Sequence, residues 1–281
     1  DGVTGETVLF GTIDCIGTTN GDIRVIRNKF KEKFEKLYPD RKIASVNVFS
    51  THTHSCVDTE GIWTDFPGKL LRNFKRKKKG NGALERGADE QYMRFLCEGV
   101  SDTLIKAVQD MCEGELTIAQ KDITEDYFSN RNRPSAPSIV TDITRLTFTP
   151  DDKSKTPTMI INLPAHPDVA GFPVKDEPGS GRRLSGDYVY YLGETVGKAG
   201  YNLMFFNGAI CAIYMARGKS NDDLKFNHRY EESIRFGREI GRIALSLTKT
   251  LDEIKKDKLL YDEAEIVTDT ELAKRNGGNY T

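Results

Sequence analysis

The 281-residue chain has one tryptophan, four histidines, five cysteines and a formal net charge of -1. Each scarcity excludes something. Cys15, Cys56, Cys97, Cys112 and Cys211 form no C-x-x-C pair, so neither a disulfide-stapled scaffold nor a cysteine-rich zinc site is expected. Free cysteine packs as a small hydrophobe, and several of the five are expected in the core. Lys plus Arg number 41 against 42 for Asp plus Glu, which leaves no global field to recruit nucleic acid or an anionic membrane. The apolar stretches at 159–163 and 201–206 are far shorter than the ~20 residues that span a bilayer. What remains, 37% hydrophobic and 30% charged residues, is the composition of a globular protein with a substantial core. The chain begins at Asp1 without a basic-then-apolar leader, as expected if a leader was removed or if this is a piece of something longer.

Residues 7–13 read as a buried strand, followed by the turn-rich Gly17-Thr18-Thr19-Asn20-Gly21. Ile23, Ile26, Phe30, Phe34 and Leu37 then recur at helical spacing until Pro39, and residues 43–49 alternate as a second strand. A strand, a helix and a strand in under fifty residues predict a crossover unit with a parallel pair. Residues 65–87, centred on Lys75-Arg76-Lys77-Lys78-Lys79, read as a solvated charged loop, an anion- or membrane-headgroup role being the alternative. Tyr92, Leu96, Val100, Leu104 and Met111 mark a long helix, and 116–123, 143–149 and 158–163 read as strands. Residues 185–199 predict a helix capped by Ser185 and stopped at Gly200. A strand at 201–206, a long helix at 230–254 and a last strand at 259–267 complete the pattern. The expected class is α/β: one domain over residues 1–281, with helices covering a mixed, partly parallel sheet.

Three of the four histidines, His52, His54 and His166, stand at predicted strand ends; His228 opens the last helix in a polar setting. In extended chain, residues two apart project to one face with Cα atoms ~6.5–7 Å apart. His52 and His54 can therefore face a single cavity, as metal ligands or as a ligand beside an acid–base partner. Their neighbours Ser50, Thr51, Thr53, Ser55 and Asp58 make a poor core and a plausible site wall. His166 follows the buried-type strand Met159-Ile160-Ile161-Asn162-Leu163, at the carboxyl edge where open α/β sheets build sites. The HxHxDH pattern of metallo-β-lactamases is not matched, because Ser55-Cys56-Val57 follows His54. An amidohydrolase barrel needs more histidines on later strands than this chain has.

The longer string Asn47-Val48-Phe49-Ser50-Thr51-His52-Thr53-His54-Ser55, followed by Asp58-Thr59, resembles the THTHS signature of the neutral/alkaline ceramidase family. The resemblance continues in order through Thr12-Ile13-Asp14, Asn130-Arg131-Asn132-Arg133-Pro134, Leu163-Pro164-Ala165-His166-Pro167 and Leu184-Ser185-Gly186-Asp187-Tyr188, covering residues 1–215. It implies the fold of that family's N-terminal catalytic domain and a zinc-dependent hydrolase of amide bonds, splitting N-acylsphingosine into sphingoid base and fatty acid. It implies His52 and His166 as ligands of one zinc ion, and His54 as acid–base or oxyanion partner. Arg133, with Arg131 as the lesser candidate, and Asp58 would contact the substrate. The same resemblance implies a lipid or small-molecule amide substrate and favours a secreted or cell-surface location, which the residues themselves leave open. No nucleic-acid partner and no integral membrane segment are expected from the balanced charge and the short apolar runs.

Three departures accompany it. Cys56-Val57 replaces the family's Gly-Pro. The segment Asn207-Gly208-Ala209-Ile210-Cys211-Ala212-Ile213-Tyr214 lacks the family's serine. The family's glutamate and tyrosine ligands lie C-terminal to the matched region. Two histidines do not complete a zinc site that usually takes three protein ligands; Asp14 or Asp187 is available as a third ligand or a supporting group, each with helix capping or turn formation as its alternative role. Two other functions stay open at this level. One is a non-catalytic or divergent member acting as a binding module, or a hydrolase of a non-lipid amide or ester. The other, a nucleic-acid protein using residues 75–79, is opposed by the short patch and the neutral chain.

Overall fold

The structure is a computed structural model, and it describes residues 5–63, 66–78, 86–123, 127–130, 139–169, 184–210, 213–215 and 229–248. The chain opens with β1 (Glu6–Ile13), α1 (Asn20–Leu37) and β2 (Lys42–Ser50). β1 and β2 pair in parallel, with Gly11 opposite Val48 and Ile13 opposite Ser50. The helix between them is set by a capping box: Thr19 Oγ1 accepts from Asp22 N, and Asp22 accepts from Thr19 N at 3.1 Å. Its buried stripe is Ile26, Phe30 and Phe34, the four-residue spacing of an amphipathic helix. α2 (Phe66–Lys78) and α3 (Glu90–Asp110) follow. α3 is capped by Asp89 and packs Cys97, Leu104 and Val108 against the α1 stripe and β1 in one core.

The second sheet takes β3 (Gly114–Asp122), β5 (Asp142–Pro150), β6 (Thr158–Leu163) and β7 (Asn202–Asn207) in the order β3-β5-β6-β7. Its first two pairings are antiparallel and its last is parallel. A short ribbon pairs β4 (Phe128–Asn130) with β8 (Ile213–Met215). α4 (Tyr188–Lys198) and α5 (Arg229–Ser246) cover this sheet, burying Tyr188, Leu192, Phe236 and Ile240 against Ile143, Ile161 and Phe205. The two helices cross closely: a Cβ on Gly237 would stand 2.3 Å from the Tyr188 carbonyl oxygen.

The two sheets meet through β7. Phe206 packs edge-on to Phe49 at 4.8 Å and to Phe10 at 6.1 Å. Asn207 Nδ2 donates to the Ser50 and Thr51 carbonyls at 3.2 and 2.7 Å. The carboxyl ends of the parallel strands β1, β2, β6 and β7 thereby share one rim.

The mixed, partly parallel α/β class is as expected, and each predicted strand and helix within the described residues exists to within a few residues at its ends. Three expectations are corrected. Residues 65–87 are not simply a loop, because Phe66–Lys78 is helical; Leu, Lys and Arg are strong helix formers, and the charge run hid an apolar stripe. The helix expected from Ser185 begins instead after Asp187, whose carboxylate caps Tyr188 N. Ser185 is diverted: its carbonyl accepts from Thr53 Oγ1 at 2.9 Å, and its hydroxyl accepts from Asp187 N at 3.0 Å. Gly200 does end the helix, with φ +87° and its N–H on the Gly197 carbonyl at 3.0 Å. The three-residue strands β4 and β8 are too short to show a period. The last helix, expected to run to 254, ends at Ser246, with residues 247 and 248 outside it. The predicted strand at 259–267, residues 249–254, His228, Cys211, Arg131 and Arg133 lie outside the described residues.

Candidate metal centre

After β2 the string Thr51-His52-Thr53-His54-Ser55 alternates by role. Thr51, Thr53 and Ser55 are buried, whereas both histidines are partly exposed. The hydroxyls anchor the segment: Thr51 Oγ1 donates to Asp14 Oδ1 at 3.0 Å, and Thr53 Oγ1 to the Ser185 carbonyl at 2.9 Å. Backbone bonds add to this, Thr51 N to the Ile13 carbonyl at 2.9 Å and His54 N to the Pro167 carbonyl at 3.2 Å. His52 takes φ +64°, a left-handed conformation that costs a non-glycine residue on the order of 1 kcal/mol. The turn brings its Nδ1 to 2.6 Å from the Ile16 carbonyl. A carbonyl only accepts, so Nδ1 carries the proton and Nε2 presents its lone pair.

His166 arrives from the other sheet, two residues past the Pro164 that follows β6. Its N–H donates to the Ile213 carbonyl at 2.8 Å, and its ring stacks on Tyr214 with centroids 4.6 Å apart at 9°. His54 Nε2 lies 2.8 Å from His166 Nε2 and 3.4 Å from His52 Nε2. The other His54 nitrogen, Nδ1, faces the buried carboxylate of Asp168 at 3.6 Å. Trp63 meets the His54 ring edge-on at 5.9 Å.

The three imidazoles offer ligand nitrogens all within 4.8 Å of one another, the one such group of histidine, cysteine or carboxylate side chains among the described residues. The donor set fits a divalent transition metal. Neutral imidazole is a preferred zinc ligand, and a ligating histidine characteristically gives its second nitrogen to a carbonyl or carboxylate, as His52 does here with the Ile16 carbonyl, while His54 Nδ1 only faces Asp168 at 3.6 Å. Two nitrogens on one tetrahedral zinc ion, each at about 2.0–2.1 Å, stand about 3.3 Å apart. The 3.4 Å between His52 and His54 meets that separation, while the 2.8 Å between His54 and His166 is a hydrogen-bond length.

The other candidates sit around this cluster rather than in it. Asp14 holds Thr51, and both line a neighbouring cleft of about 370 Å³ with Thr12, Tyr190 and Glu194. Asp187 is fully buried, and its oxygens accept from Tyr188 N and Ser233 Oγ at 2.6 Å and from Val169 N at 2.7 Å. It ties α4, α5 and the strand-end segment carrying His166 and Asp168 to one another. Asp58 accepts from four backbone N–H groups, those of Glu60, Gly61, Ile62 and Trp63, at 2.7–3.1 Å. Burial raises its carboxyl, but these four donors together outweigh burial and hold it below the usual range. Burial and the nearby Asp14 charge push the Cys56 thiol up to about 12. Burial also raises Cys15, so neither thiol beside the cluster is a nucleophile at neutral pH.

Asp168, Tyr214 and Trp63 complete the surroundings without having been singled out in the sequence. Asp168 carried a signal, two residues past a strand-end histidine. Tyr214 and Trp63 reach the site only through long-range packing.

No protein-family model matches the chain, and no curated protein sequence matches it. Solved structures do. The chain resembles neutral ceramidase from Pseudomonas aeruginosa with a TM-score of 0.57 and 14% identity, over 80% of this chain and 34% of that one. It resembles a ceramidase complexed with C2 with a TM-score of 0.55 and 12% identity, over the same shares. The chain spans about a third of the length of these proteins and has a ceramidase-like fold.

Proposed function

We propose that this chain is a zinc-dependent hydrolase of amide bonds whose substrate is an N-acyl compound of the ceramide type. The observation that supports it most is the convergence of His52, His54 and His166 at the shared carboxyl rim of the parallel strands. His52 and His166 are the proposed zinc ligands, as the family resemblance implies. The remaining protein ligand that such a site usually takes is proposed to come from outside the described residues. The His52 ring is held by the Ile16 carbonyl and the His166 ring by its stack on Tyr214. The chemistry such an ion supplies is polarisation of a carbonyl and activation of water near neutral pH.

His54 is the proposed proton carrier. Asp168 facing Nδ1 favours a proton there, which leaves Nε2 as the basic nitrogen inside the cluster. That nitrogen can take a proton from the attacking water and return it to the departing amine nitrogen, general acid–base work of the kind histidine does best. Asp58 enters through its loop, whose backbone it gathers and whose Trp63 flanks His54. Arg133, or Arg131, is proposed to hold the polar part of the substrate, as the family resemblance implies. Asp14 is proposed to fix the Thr51 hydroxyl behind the histidine loop.

The test is zinc content and turnover of a short-chain fluorogenic N-acylsphingosine by the purified chain, with and without chelator. The expected result is chelator-sensitive turnover, zinc lost in His52→Ala and His166→Ala, and zinc kept but turnover lost in His54→Ala. Zinc lost from His54→Ala would make His54 a third ligand and remove its proton-carrier role. A metal-loaded chain inert towards N-acyl, ester and phosphoester substrates would select the binding-module alternative, and a metal-free active chain would end the proposal.

A further inference from the structure

Helix α2 is turned inside out. Within Phe66–Lys78 the apolar residues Pro67, Leu70, Leu71 and Phe74 fall at the three- and four-residue steps of one face. In a helix on a globular surface that face points inward. Here it points to solvent: Leu71 and Phe74 are each 62% exposed and Leu70 46%. What turns toward the rest of the chain is the opposite face, where Gly68, Lys69 and Asn73 are the less exposed positions. Lys69 Nζ reaches the Gly61 carbonyl at 3.4 Å and the Arg86 carbonyl as well. The helix is thus held to the scaffold by its polar side and offers its apolar side outward.

Charge singles out a partner. Between residues 66 and 79 there are seven basic side chains, Lys69, Arg72, Lys75, Arg76, Lys77, Lys78 and Lys79, and no acidic one, in a chain whose net charge is -1. Leucine and phenylalanine on one face with lysine and arginine around them is the composition of a helix that lies in the interface of an anionic bilayer. Ile62 and Trp63, 55% and 49% exposed, precede the helix, and tryptophan favours the headgroup level of a membrane. No helix among the described residues is long and apolar enough to cross a membrane, so any lipid contact by α2 is with the surface.

We propose that α2 is a membrane-surface docking helix, laying Leu70, Leu71 and Phe74 into the interface of an anionic lipid bilayer while its lysines meet the headgroups. Because Trp63 belongs to the same stretch and touches the His54 ring, docking would present the histidine rim to the lipid surface. The inference stands apart from the proposed hydrolysis, since binding is read without turnover.

The test is co-sedimentation of the full chain with phosphatidylcholine vesicles, with and without about 30 mol% phosphatidylserine. Binding should be at least about tenfold stronger with phosphatidylserine and should fall with added salt. Leu71→Glu/Phe74→Glu and Lys75→Glu/Lys78→Glu should each weaken it by about tenfold or more. All four side chains are exposed, and circular dichroism should report an unchanged fold. Equal binding to both vesicle types, or wild-type binding by Leu71→Glu/Phe74→Glu, would overturn the proposal. So would a dimer in solution that this variant dissociates, which would give the face to a second copy of the chain. Binding to an oligonucleotide in preference to the anionic vesicles would equally overturn it.

Discussion

Asp187→Ala removes one buried carboxylate that three donors share, and its cost follows from the contacts. Tyr188 N, Ser233 Oγ and Val169 N all lie within 2.7 Å of its oxygens, and the residue is fully buried. A buried donor deprived of its acceptor costs about 1–3 kcal/mol, and the lost helix cap belongs to the same range. Since the donors share one side chain the costs do not sum fully, and about 3–5 kcal/mol is the expected loss. The backbone at φ 54°, ψ -146° is a region left largely to glycine, and alanine gains nothing there. For a chain of this size that loss lowers the melting midpoint by roughly 6–20 °C. Asp187→Asn keeps the shape but sets an amide N–H₂ against one of the donors, for about 2 kcal/mol. The assay is urea and thermal unfolding, with zinc content measured on the same samples. Both variants should lose stability, and Asp187→Asn should keep its zinc. A zinc-free Asp187→Asn of unchanged stability would make the residue a ligand, and an Asp187→Ala within about 0.5 kcal/mol of wild type would refute the reasoning from buried donors.

Other consequences are as direct. With its thiol pushed up to about 12, Cys56 in the native protein should alkylate with iodoacetamide at pH 8 about a hundredfold or more slower than free cysteine, as mass spectrometry can follow; labelling at the free rate would contradict the burial. Asp58 is held below the ~3.9 of an unfolded aspartate, so the stability it contributes is complete above that value and disappears as the pH falls through its folded-state value. Asp58→Ala should therefore be destabilised by about 1–3 kcal/mol at pH 7, by a gap that narrows in urea titrations below about pH 4; a gap independent of pH would show that the charged form is not what the loop binds. Gly237→Ala places a Cβ 2.3 Å from the Tyr188 carbonyl and 2.8 Å from Tyr191 Cβ, which should part α4 from α5 at about 1–3 kcal/mol. Wild-type stability of that variant would mean the helices do not cross so closely.

The sequence reveals as much of this architecture as its local patterns carry. The β1–α1–β2 crossover is legible because Ile23, Ile26, Phe30, Phe34 and Leu37 keep one helical period between two apolar strands. The histidine rim is legible because His52 and His54 stand two apart just past a strand and because His166 closes a strand that reads as buried. The burial of Thr51, Thr53 and Ser55 is not, since their polarity reads as a site wall. What fails is whatever depends on distant partners. Ser185 is a good cap by type, but Thr53 and Asp187 engage it first. The carbonyl of Ile16 and the ring of Tyr214 orient two histidines from positions that no motif marks. Residues 66–78 mislead for a different reason: their charges dominate the eye, and the apolar stripe beneath them faces the wrong way for a core.

The account rests on His52 and His166 binding one ion together, and anomalous scattering collected on both sides of the zinc absorption edge from a crystal of the metal-loaded chain tests that most directly. The predicted result is a single zinc peak at coordination distance, about 2.0–2.1 Å, from one nitrogen of each ring. No peak between the two rings, or a peak bound by neither, would contradict it.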